Sequence, residues 1–140
     1  MTTRELEIHV WLSVLSERRT PQEVSALVGI EPDSAWQVGD IRPNHRVPEK
    51  RHGWIVRSGL PKTGTTLEAH LESLLGRVRG VADRIKSLAD QEETSIMCAL
   101  YTDQQLVIDW PAWMIHEFSR LGVGVGIDVY YLPQEGRDNS

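Results

Sequence analysis

The sequence predicts a two-layer α+β fold, with a four-stranded mixed or mainly antiparallel sheet and helices on one face. Three observations predict it. Four segments alternate apolar and polar residues with a period of two, segments with apolar residues at helical spacing separate them, and the alternation gives each strand a second, less apolar side. Four strands are too few to be wrapped on both faces, so one face stays open.

Leu6, Ile8, Val10, Leu12 and Val14 alternate with Glu7, His9, Trp11 and Ser13, which makes Leu6 to Val14 the first strand. Thr20-Pro21-Gln22-Glu23 is a capping box with proline in the first turn. Val24, Leu27 and Val28 give that short helix its stripe, and Gly29 stops it. From 31 to 52 the periodicity is lost and Pro32, Gly39, Pro43 and Pro48 accumulate, so a long meander is expected, with a strand fragment near Trp36. Connections of this length often carry function or mobility. Gly53 to Ser58 is the second strand, through Trp54, Ile55 and Val56.

Thr65 with Glu68 forms the next capping box, ahead of the stripe Leu67, Leu71, Leu74, Leu75 and Val78. Val81, Ile85 and Leu88 resume the stripe past Gly76 and Gly80. Two consecutive helices with a break near 77–80 are expected, one bent helix being the alternative. Ser95 to Tyr101 is the third strand. Asp109 is placed as the cap of a further helix, with Pro111 in its first turn, Trp110, Met114, Phe118 and Leu121 inward, and Gly122 as its stop. Val123, Val125, Ile127, Val129 and Tyr131 alternate as the fourth strand. Residues 1–132 are thus expected to form a single domain, and 133–140 a dispensable, flexible polar tail.

Composition narrows the function classes. In 140 residues, 40% hydrophobic and 25% charged side chains describe an ordinary globular chain, which excludes disorder, collagen-like repetition and a disulfide scaffold. The net charge of −5 conceals an asymmetry: Arg42, Arg46, Lys50, Arg51 and Arg57 face only Glu49 within residues 42–57. The acidic remainder argues against nucleic acid and anionic membranes as partners, and leaves this one segment able to attract an anion. The single Cys98 lies in an apolar strand and is expected as a buried, reduced thiol. A polar start, and Glu7 and His9 within the first apolar stretch, disfavour a signal peptide or a membrane span, so a cytoplasmic location is expected.

A set of segments in this order resembles a known family. Thr20 to Val24, Leu27 to Pro32, Trp36 with Gly39-Asp40, Gly53-Trp54, the Leu67 to Leu75 helix and the closing Leu121-Gly122 through Asp128 to Tyr130 resemble the bacterial family called domain of unknown function 4279. The resemblance covers about residues 5–131 and implies a single domain. It implies no activity or ligand. The basic run at 42–52 and the polar tail have no counterpart in the family pattern.

Motifs that imitate known chemistry fail on their requirements. Gly59 to Thr66 follows a strand and opens a helix as a phosphate loop does, but Thr65 stands where the phosphate-binding lysine is needed. Gly122-Val-Gly-Val-Gly126 has a helix before it and a strand after it, the reverse of a dinucleotide fingerprint. The histidines His9, His45, His52, His70 and His116 show no helical metal spacing, although His45 and His52 have Asp40 and Glu49 nearby in sequence. His70 is expected on a helix face with its polar edge at water. No catalytic residue, metal or cofactor is therefore assigned.

Five of nine aromatic residues are tryptophan, rings that anchor cores and interfaces. Trp110 and Trp113 are expected beneath the last helix. Trp36 beside the basic meander is the best recognition candidate; alternatively it pins the meander to the body while the charges are solvated. The ligand- or partner-binding set is Trp36, Arg42, His45, Arg46, Arg51, His52 and Arg57, suited to an acidic protein or a small anionic ligand. If Leu6, Ile8, Val10 and Val125, Ile127, Val129 face the helices, Trp11 and Tyr130 fall on the open side; the third strand offers that side either Ile96, Cys98 and Leu100 or Met97, Ala99 and Tyr101. With the second set, Trp11, Tyr101 and Tyr130 suggest a homodimer face, unless residues 31–52 fold over it and make a pocket. A non-catalytic binding module is the preferred function and a small enzyme, with its site between meander and sheet, the alternative. A deep pocket joining Trp36, His45 and Arg57 would favour the enzyme, and a flat apolar face the module.

Overall fold

The computed structural model describes residues 5–132. Its elements follow the predicted order with one strand added: β1 (Glu7–Ser16), α1 (Pro21–Val28), β2 (Ser34–Trp36), β3 (His52–Arg57), α2 (Leu67–Val78), a 3₁₀ turn at Arg79–Val81, α3 (Ala82–Ala89), β4 (Glu93–Thr102), α4 (Ala112–Leu121) and β5 (Gly124–Tyr131). The sheet order is β2-β3-β1-β4-β5. All neighbours are antiparallel except β4 and β5. The chain passes from β4 to β5 through α4, and a helical crossover of this kind returns the chain in the same direction.

The sheet is mixed and mainly antiparallel as expected, but it has five strands, not four. The fifth is the Trp36 fragment, three residues paired to β3, too short to write a period of two into the sequence. The helix break is also where it was expected, at Arg79–Val81. Two caps differ. Thr66, not Thr65, receives the α2 cap bond, from the amide of Ala69 at 3.1 Å. The last helix starts at Ala112 behind Pro111, whose ψ of 150° is extended, so Asp109 stands outside it and caps nothing.

One side of the sheet carries the core. Ile8, Val10, Leu12 and Val14 from β1, Trp54 and Val56 from β3, and Ile96, Cys98 and Leu100 from β4 pack under Val24, Leu71, Leu74, Leu75, Ile85, Met114 and Leu121. Each such aliphatic side chain stabilises the fold by about 1.5–3 kcal/mol relative to exposure. Burial pushes the Cys98 thiol up to about 12, which keeps it protonated and unreactive. Trp110 meets Phe118 edge-on at 5.8 Å, whereas Trp113, expected beneath the helix, is 42% exposed. No helix among the described residues is long and apolar enough to cross a membrane.

His70 corrects a surface expectation, because it is buried in α2 with both ring nitrogens engaged. The Pro61 carbonyl can only accept, so Nε2 carries the proton and donates to it at 3.0 Å. Nδ1 then accepts from the Ser58 hydroxyl at 2.6 Å. Desolvation lowers the His70 pKa from its ordinary value, and the neutral ring ties the 58–66 loop to the helix. The phosphate-loop imitation is thus a latch between β3 and α2. The 133–140 tail lies outside the described residues.

Candidate functional site

The helices leave the second face of the sheet uncovered, and strand alternation decides which side chains stand there. The register aligns them in rows across the strands. One row is Trp36, Gly53, Leu15 and Glu93; the next is Ser34, Ile55, Ser13, Ser95 and Gly124. Arg57, Trp11, Met97 and Gly126 follow, then His9, Ala99 and Asp128, and last Glu7, Tyr101 and Tyr130. The Met97 sulfur lies 2.9 Å from where a Gly126 Cβ would be, so the thioether fills that gap. Tyr101 stacks on Tyr130 at 4.7 Å and 14°, and His9 meets Tyr101 edge-on at 5.9 Å. His9 Nε2 is 2.6 Å from Glu7 Oε2.

The meander forms a wall along this face. Backbone bonds from Gly39 N to Glu49 O and from Glu49 N to Asp40 O, both 2.8 Å, close residues 40–49 into a loop. Gln37 N donates to Asp40 Oδ2 at 2.8 Å, and Val38 N donates to His52 Nδ1 at 3.1 Å. His52 is therefore a brace for the loop. Trp36 anchors the entry to the meander: its ring lies flat against Gly53, its Nε1 donates to Arg51 O at 3.0 Å, and the Arg42 guanidinium sits over it at 3.7 Å. Only glycine fits at 53, since a Cβ would meet the ring at 2.0 Å. Glu49 holds both Arg42, at 3.6 Å, and His45, at 3.8 Å, and Arg51 pairs with Glu93 at the start of β4.

Between floor and wall lies a cleft of about 1040 Å³. It brings together Trp36, Arg42, His45, Arg51 and Arg57 of the predicted binding set, and Trp11 and Tyr101 of the predicted dimer face. Arg46 and His52 do not line it, and Tyr130 continues the aromatic row beside it through its stack on Tyr101. The meander along the open face thus makes a cleft in place of a flat sheet surface. Trp36, His45 and Arg57 share it, the arrangement set out above as favouring an enzyme. Met97 and Ala99, of the outward set offered for the expected third strand, now β4, line the cleft, and so do His9, Leu15, Ile55 and Glu93, which were missed. The period of two puts His9 on the Trp11 side, Ile55 on the Arg57 side and Met97 on the Tyr101 side; which side of β4 faces outward needed the register.

Chemically the floor is apolar and aromatic, and the wall is basic. Arg42, Lys50, Arg51 and Arg57 stand against Glu49 and Glu93, two cations in excess in a chain whose net charge is −5. Lys50 has no ion pair among the described residues. Outside the cleft, Arg77 binds the Asp33 carboxylate at 2.8 Å and the Arg57 amide donates to it at 2.7 Å. The Arg77 bond, supported by that amide and by the nearby guanidinium charges, holds the Asp33 pKa below its ordinary value against some desolvation. Asp33 does not itself line the cleft but is bonded to Arg57, which does, while His70 and Cys98 are buried in the core on the helix side of the sheet. No three metal-ligating side chains converge among the described residues.

No curated protein and no solved structure matches the chain. Residues 6–132 match the family described as a domain of unknown function (DUF4279), and the chain belongs to that family.

Proposed function

We propose that this domain is a non-catalytic binding module whose cleft holds a small amphipathic anion, its flat apolar part on the sheet face and its charge at the meander wall. The observation that carries this reading is the pairing of an aromatic floor, Trp11 and Tyr101, with a cation excess in one cleft of about 1040 Å³. That volume is close to the upper end of ordinary ligand sites, and such sites combine apolar walls with a few placed polar groups.

The test uses 1-anilinonaphthalene-8-sulfonate and its uncharged analogue N-phenyl-1-naphthylamine, titrated while dye fluorescence is followed. The sulfonate is expected to bind at least about tenfold more tightly, a difference of ~1.4 kcal/mol that one charge-assisted contact can supply. Lys50→Gln combined with Arg57→Gln should erase that preference and leave the neutral dye unaffected. Equal affinity for both dyes in the wild type, or no binding, contradicts the proposal.

Two observations favour the enzyme alternative: the cleft joins Trp36, His45 and Arg57, and it also holds His9. His9 lines the cleft with Glu7 Oε2 at 2.6 Å from its Nε2, so the carboxylate accepts from Nε2 and orients the ring. Under that reading a bound ligand is consumed over time, and His9→Gln stops its consumption without weakening its binding.

A further inference from the structure

We propose that two copies of this chain associate edge to edge through β5, antiparallel about a twofold axis at Ile127, so that their sheets join into one. A sheet edge presents backbone N–H and C=O groups ready for another strand, and proteins usually blunt such edges. The two edges here differ. β2 has only three residues and the meander beside it, whereas β5 runs for eight residues without proline or lysine. Its side chains are also unusually bare for a strand: Val125 is 36% exposed, Val129 51%, Tyr130 45% and Tyr131 59%.

Side-chain complementarity selects a second copy as the occupant and fixes the register. With the axis at Ile127, Val125 faces Val129 of the other copy and Tyr131 faces Val123, an unbroken apolar strip on the helix side. On the open side Gly124 faces Tyr130, and Gly126 faces Asp128. Nothing lies within 4 Å of where a Gly124 Cβ would be, so the opposing tyrosine ring has a bare glycine to cover, as Trp36 covers Gly53. Moving the axis to Asp128 sets two carboxylates directly opposite, which is unfavourable, and moving it to Gly126 leaves both tyrosines unpaired. Pairing β5 of one copy with β2 of the next would make an open chain of molecules, and the shortness of β2 opposes it.

The area argues for a weak dimer. The four exposed side chains offer on the order of 300–400 Å² per copy, and with the strand backbones the total for both copies falls near the ~1,000 Å² lower limit of specific interfaces. The expected dissociation constant is therefore micromolar. This contact differs from a face-to-face dimer through Trp11, Tyr101 and Tyr130, and leaves the cleft open.

Sedimentation of the whole chain from low to high micromolar concentration should show a monomer–dimer equilibrium. Val129→Lys should weaken it by more than about tenfold with an unchanged melting midpoint, since that side chain is half exposed. Ile127→Cys should form an intermolecular disulfide on mild oxidation, because directly opposed residues bring Cα atoms within bridging distance. Cys98 is buried and gives no background. Val125→Cys alone should crosslink far more slowly, yet it should crosslink to Val129→Cys when the two proteins are mixed. A wild type that stays monomeric overturns the proposal. So does a dimer that survives Val129→Lys, or one that fails to crosslink at 127 and is instead broken by Trp11→Glu.

Discussion

A methyl group added at Gly53 has no room, and the size of the penalty can be worked from the geometry. The new Cβ would lie 2.0 Å from Trp36 Cζ2 and 2.1 Å from Cε2. The ring is held by its bond to Arg51 O at 3.0 Å and by Arg42 over it at 3.7 Å, so it cannot slide aside while keeping these contacts. Full expulsion of a tryptophan that buries roughly 150–250 Å² costs about 4–6 kcal/mol at ~25 cal/mol per Å². A partial shift of β3 reduces this, so Gly53→Ala is expected to cost about 2–4 kcal/mol, or roughly 6–15 °C in melting midpoint for a domain of this size. Urea denaturation gives the free energy directly. In a Trp36→Leu background the same change should cost less than about 0.5 kcal/mol, because the clash is gone. A Gly53→Ala protein as stable as wild type, or a cost that is the same with and without Trp36, would refute the packing described for the meander anchor.

Further outcomes follow from other contacts. Because His70 is neutral in the fold, with a pKa lowered below 6.5, stability is full above pH 6.5 and falls as pH drops below it until the folded-state pKa is reached, by up to ~1.4 kcal/mol per pH unit. Denaturation midpoints measured from pH 8 to pH 5 should show this slope, and His70→Leu should flatten it at lower overall stability. Asp33 acts at more acid pH: its lowered pKa gives stability that is present above 3.8 and lost as pH falls through the folded-state value, and Asp33→Asn should remove that loss from an acid titration. Arg46→Glu should leave stability within about 0.5 kcal/mol of wild type, whereas Arg51→Glu, which sets a carboxylate against Glu93, should cost about 0.5–1 kcal/mol by urea denaturation.

The strands with a long period of two were legible because each has a core side that tolerates only apolar residues. Ile8, Val10, Leu12 and Val14 are all buried, as are Ile96, Cys98 and Leu100 of β4, whereas β5 carries the same alternation although Val125, Val129 and Tyr131 are exposed. Helix ends were less legible, since adjacent threonines at 65 and 66 both suit a cap; in the fold the Thr65 hydroxyl donates to the Pro61 carbonyl at 3.4 Å and Thr66 accepts from the Ala69 amide. The burial of His70 was readable in hindsight: it lies three residues after Leu67 and four before Leu74, within the stripe. Its polar ring argued for the surface, and the partners that satisfy it, Ser58 and Pro61, became neighbours only through the fold. Trp36 and the basic segment were found from composition alone, and both roles considered for that tryptophan concern one place: it pins the meander, and the pinned meander walls the cleft. Alternation within one strand groups Met97 with Tyr101 and Ile55 with Arg57, but the outward side of β4 was set by its register on β1, and Glu93 entered because β4 begins two residues before the expected start.

The proposed binding of an amphipathic anion on the open sheet face is tested most directly by locating one there. Crystals of the protein soaked with 4-bromonaphthalene-1-sulfonate would report the bromine by anomalous diffraction. The naphthalene should lie against Trp11 and Met97 and the sulfonate toward Lys50 and Arg57, with occupancy lost in the Lys50→Gln and Arg57→Gln protein. A bromine site elsewhere, on the helix side or along β5, with the cleft empty would contradict it.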